Sequence, residues 1–100
     1  MPKLPQDCMT MADVRGGVDS TDRELMALLS RRFGYMRAAA RIKPDRSSVR
    51  DEARKATVIE AAVSAGRSGG IPAEIVAHLW EDLVEASIAF EMDHWDGLNP

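Results

Sequence analysis

The 100-residue chain has one cysteine, Cys8, two histidines, His78 and His94, and few aromatic rings. A lone thiol excludes an intrachain disulfide. "EMDH" spaces Glu91 and His94 like half of a di-iron carboxylate site, but there is no second such motif, so no metal is expected. A net charge of -3 and two tryptophans, Trp80 and Trp95, that suit packing better than base stacking argue against nucleic acid as a partner. No apolar run is long enough to cross a bilayer, and the opening "MPKLPQDC" lacks the apolar stretch of a secretory leader. A cytoplasmic protein without membrane contact is the expectation. Period-two alternation, repeats and low-complexity tracts are also missing, which excludes a sheet or a solenoid as the main architecture.

The composition, 45% hydrophobic and 29% charged, is that of a folded protein. Helical periodicity covers most of the chain and breaks only at "KPDRSS" (43–48) and "GRSGGIP" (66–72), which predicts one all-α domain over 1–100 with helices at about 10–43, 48–65 and 72–96. Thr10 with Asp13, and Ser48 with Asp51, have the spacing of N-terminal caps. Pro44 stops the first helix, Gly66 is placed to stop the second, and Pro72 opens the third. A first helix of 34 residues would be roughly 50 Å long, too long for a compact monomer of this size. It calls for a partner chain, unless Gly16 and Gly17 bend it within a monomeric bundle.

The first helix carries an apolar stripe through Met11, Val14, Val18, Leu25, Leu28, Leu29, Met36 and Ala39, interrupted by Arg32 and Lys43. These two cations stand about 16 Å apart along the axis and only about 20° apart around it, so both point the same way and can grip a small dianion. Arg15 precedes Arg32 by about 25 Å on a face turned by roughly 100°; it can join the same site only from the second chain of an antiparallel dimer. In the third helix the row Ile75, Leu79, Leu83 continues into Ser87 and Glu91, placing a hydroxyl and an acid on an apolar face. Taken alone, a cation on a stripe is ordinarily a snorkelling side chain or half of an ion pair. Together, cations on one helix and an acid with a hydroxyl on another point to a site for a small polyanion.

With these residues in place, the chain resembles the all-helical class of chorismate mutases and the related isochorismate-pyruvate lyases. The resemblance rests on "ADVRGGVDSTDRELMALLSRR", on "AAARIK" with its lysine, on "VRDEAR" at the start of the second helix and on "IVAHLWEDLVEASIAFE" in the third. It implies an intertwined homodimer with two sites and no cofactor. It also implies that Arg15 from one chain and Arg32 from the other hold the substrate carboxylates, that Lys43 and Glu91 meet the ether oxygen, that Ser87 lies near the ring carboxylate, and that Asp51 and Arg54 line the pocket.

Converting chorismate to prephenate is pericyclic and needs no nucleophile, so a held conformer and charge stabilisation at the ether oxygen suffice. Many relatives have glutamine at the position of Glu91. A carboxylate there would repel the developing oxyanion, so the reading requires Glu91 to be protonated, with activity falling as pH rises. Lys55 replaces a glutamate that contacts the substrate hydroxyl in several mutases. Lys55 and "PQDCMTMADVR" suit the lyase branch, which makes salicylate and pyruvate from isochorismate, whereas Glu91 favours the mutase; the mutase is favoured narrowly, and dual activity is compatible with both. A non-enzymatic dimerisation module, with the cations simply paired across an interface, is the competing class. The composition of "KPDRSS" predicts a mobile flap.

Overall fold

In the computed structural model, which describes residues 1–100, three α-helices carry the chain. These are α1 (Met11–Ile42), α2 (Glu52–Ser68) and α3 (Ala73–Leu98), with short 3-10 turns at Pro5–Asp7 and Arg46–Ser48 and no strand. The all-helical class read from periodicity is the one observed. The chain gathers into two units, Met1–Gly34 and Tyr35–Pro100.

In the first unit the start of α1 is a reciprocal cap. The Asp13 amide donates to Thr10 Oγ1 (3.1 Å), and Asp13 Oδ2 accepts the amides of Met9 (3.0 Å) and Thr10 (3.3 Å) and the Lys3 ammonium (3.1 Å). Those donors, the Met9 amide first, hold the Asp13 carboxyl below its ordinary range. Gly16 and Gly17 lie within α1, and the helix continues through both. Residues of the N-terminal segment, among them Leu4, Pro5 and Cys8, border a cavity of about 470 Å³ with Val14 and Val18 of α1. Much of the predicted stripe stays open to solvent: Val14, Val18, Leu25 and Leu28 are between 39% and 52% exposed.

The second unit has a small core of Ala40, Val49, Val76 and Val84, and α2 packs on α3. Here the element boundaries correct the sequence reading. Ser48 does not cap α2, because it closes a 3-10 turn through its amide bond to Asp45 O (3.0 Å). Asp51 is the cap instead, extended in backbone and accepting the Arg54 amide on its side chain at 2.9 Å. Nor does Gly66 stop the helix. It is buried inside α2, where a Cβ would meet Val76 Cγ2 at 2.6 Å, so its smallness lets α3 approach. The stop comes at Gly69 and Gly70, whose amide bonds Arg67 O (3.1 Å) while the Ile71 amide bonds Gly66 O (2.8 Å), the paired bonds of a Schellman ending with Gly70 at φ +77°. Pro72 precedes the first residue of α3. At the far end Gly97 remains helical, and Asn99 caps the helix by donating from both its amide and its side chain to Trp95 O.

An ionic cluster joins α2 to α3. Arg50 grips Glu85 through two bonds (2.8 and 3.0 Å) and also reaches Glu52 (2.8 Å). Lys55 lies between Glu81 (2.8 Å) and Glu85 (3.0 Å). Bonds from Arg50 first and Lys55 second pull the Glu85 carboxyl down to about 2, and Lys55 is raised by Glu81 and then Glu85.

Candidate functional site

Lys43 follows the last residue of α1. Its amide still donates to Ala39 O (2.9 Å), but Pro44 has no N–H to carry the helix on and disfavours helical backbone at Lys43. The side chain therefore leaves the end of a helix rather than its flank. Lys43 Nζ donates to Glu91 Oε2 at 2.7 Å and to the Val49 carbonyl at 3.4 Å. The acid is almost fully enclosed, with a side-chain exposure of 5%, whereas that of Lys43 is 29%. An isolated carboxylate at that depth is costly, and the ammonium is what compensates for it.

Ser87 precedes Glu91 by one turn of α3, is also buried, and donates its hydroxyl to Leu83 O (2.6 Å). The row on α3 thus has an unusual gradient: Ile75 and Leu79, its first apolar members, are 49% and 58% exposed, Leu83 is half-buried, and Ser87 and Glu91, the polar ones, are 3% and 4% exposed. Ordinary burial runs the other way. The residues that the sequence singled out as misplaced on an apolar face are the ones this unit encloses.

The segment expected to form a flap makes contacts with α3. The Trp95 indole N–H donates to the Lys43 carbonyl at 3.0 Å, Arg46 pairs with Asp96 through bonds of 2.7 and 3.2 Å, and Val49 is buried. Hydrogen bonding to Arg46 holds the Asp96 carboxyl below its usual range. His94 stacks on Phe90 with ring centroids 6.4 Å apart, and the Arg37 guanidinium lies 5.1 Å from the Phe90 centroid.

Of the predicted site residues, Lys43 and Glu91 are in direct contact, with Ser87 one turn from Glu91 on the same helix. Asp51 and Arg54 are exposed at the start of α2, and the Asp51 side chain is engaged in capping. Arg15, exposed, and Arg32, partly exposed, belong to the first unit. Sequence reasoning missed the tethering roles of Trp95, Arg46 and Asp96 and the pairing of Lys55. The i, i+4 spacing of Glu81 and Glu85 was a visible signal for a cation between them, but nothing in the sequence says which helix supplies it.

Comparison with known proteins places the chain in a family. Residues 14–92 match the family model for chorismate mutase type II. The isochorismate pyruvate lyase of Pseudomonas aeruginosa is 28% identical over 93 residues, which cover 93% of this chain and 92% of that protein. The matched region runs from the turn of α1 before Arg15, through Lys43 and α2, to the buried acid of α3, and so spans every candidate site residue: the chain belongs to the type II chorismate mutase family.

Proposed function

We propose that the protein is a chorismate mutase that rearranges chorismate to prephenate, and the observation that carries this reading is the enclosed Lys43–Glu91 pair. The reaction breaks a C–O bond and builds negative charge on the ether oxygen, so a cation and an acid already held 2.7 Å apart suit that atom. Arg32, and Arg15 from the second chain of a homodimer, hold the two substrate carboxylates, and Arg54 and Ser87 complete the polar lining with Asp51 at the start of α2. No nucleophile is required, because positioning and electrostatics account for the rate.

In the pair seen here Glu91 accepts from the Lys43 ammonium, so it can donate to the ether oxygen only when it carries a proton. Glu91→Gln supplies an N–H donor at every pH and is expected to flatten any alkaline fall in turnover; a profile that keeps its slope in this variant contradicts the role.

A second reading, isochorismate-pyruvate lyase, is favoured by two observations. The Pseudomonas aeruginosa relative carries that name over almost its full length. Lys55, in the position where several mutases have a hydroxyl-reading glutamate, is engaged by Glu81 and Glu85. Incubating the protein with chorismate and with isochorismate, from about pH 5 to about pH 9, separates the readings. Prephenate as the main product supports the mutase. Salicylate and pyruvate at the higher kcat/KM assign the lyase, and inertness toward both substrates leaves a helical dimerisation module.

A further inference from the structure

Every polar group of Lys43 is engaged. The amide closes α1 on Ala39 O, the ammonium meets Glu91 and Val49 O, and the carbonyl accepts the Trp95 indole N–H at 3.0 Å. A carbonyl just past the end of a helix has no intrahelical donor and takes its partner from another element, here the Trp95 indole. Glu91 and Trp95 stand four residues apart on α3, hence on one face and about 6 Å apart along the axis. One face of α3 therefore grips the same lysine at both ends, ammonium and main-chain carbonyl.

We propose that Trp95 is a positioning residue: its N–H fixes the backbone from which the Lys43 side chain departs, so that the ammonium reaches Glu91. A four-carbon stem has many rotamers, and anchoring both of its ends removes most of them before substrate arrives. The sequence alone assigns Trp95 only to packing; the bond to Lys43 O gives the indole nitrogen a separate task. This inference rests on the proposed role of Lys43 for its kinetic arm, and its spectroscopic arm is independent of that role.

The test is Trp95→Phe, which keeps an aromatic ring and removes the N–H. The kinetic expectation is a fall in kcat of about 10- to 100-fold with KM changed little, the size of effect that small misplacement of a catalytic group produces. In a Lys43→Ala background Trp95→Phe has no further effect on kcat, since it acts only through that side chain. A packing role predicts independent losses that multiply, and that result overturns the inference. Without substrate, the Lys43 ammonium nitrogen gives a slowly exchanging NMR signal in the parent protein, which broadens in Trp95→Phe. An unchanged ammonium signal overturns the inference whether or not the protein turns over either substrate. Should Trp95→Phe not fold, β-(3-benzothienyl)alanine at position 95 has the same bicyclic shape with sulfur in place of N–H and is read in the same way. A parent protein inert toward both chorismate and isochorismate refutes the functional reading, and the ammonium signal then decides the role of Trp95.

Discussion

At Lys43 and Glu91, stability and chemistry draw on the same contact. Removing the cation leaves an enclosed carboxylate without a counter-charge, at a cost of about 3–5 kcal/mol. Lys43→Met is therefore expected to lower the denaturation midpoint, and adding Glu91→Gln to recover part of the loss, because an amide is cheaper to bury than an unpaired acid. Chemical denaturation of the two variants checks this. Turnover behaves differently: Lys43→Ala is expected to lose about 10²- to 10³-fold in kcat, the usual effect of deleting one donor to a developing oxyanion, and Glu91→Gln does not restore it. The sequence made both residues visible as polar interruptions of apolar rows. It did not show that they touch, because they are 48 positions apart and on different helices.

Among the elements, the junction of α2 and α3 depends on the absence of a side chain at Gly66. Gly66→Ala improves local helix propensity by about 1 kcal/mol yet drives a methyl group into Val76, where overpacking costs about 1–3 kcal/mol. A net loss of thermal stability is expected, with Val76→Ala partly compensating in the double variant. The ionic cluster has its own pH signature. Glu85 is held down to about 2 in the folded chain against an ordinary 4.5, so its contribution is fully present above about pH 4.5 and is lost as the pH falls toward 2. Glu85→Gln removes that dependence, and acid titrations followed by circular dichroism should show a shallower decline through this window than in the parent protein. The cap at Thr10 and Asp13 was legible because its partners are neighbours in the chain. The cap at α2 was misplaced by three residues, since Ser48 and Asp51 both have the right chemistry and only the 3-10 turn at Arg46–Ser48 decides between them.

For the whole molecule, the small core is informative. No large side chain is fully buried, while Leu25, Leu28, Ile75 and Leu79 are each about half exposed or more. We expect a homodimer that covers these faces, with sedimentation giving twice the chain mass. The proposed sharing of the site between two chains makes a sharper prediction. Arg15→Ala and Lys43→Ala alone are each expected to keep only a small residue of activity, but dissociated and reassociated together in equal amounts they recover about a quarter of parent activity, because half the dimers are mixed and each mixed dimer has one intact site. Recovery of no activity would mean that Arg15 serves the site of its own chain.

By itself the sequence determined the helical class, the rough extent of the three helices and the family, because periodicity, prolines and a few cations at set spacings are local or nearly local signals. It also marked Arg32, Lys43, Ser87 and Glu91 as residues whose polarity does not suit their place on a stripe. Only the tertiary structure decided which of them meet, where α2 starts and stops, and that a tryptophan far along the chain holds the lysine by its main-chain carbonyl. Those outcomes depend on how closely α2 and α3 approach and on which donor reaches an orphaned carbonyl, and both are set by packing between segments that the sequence keeps far apart.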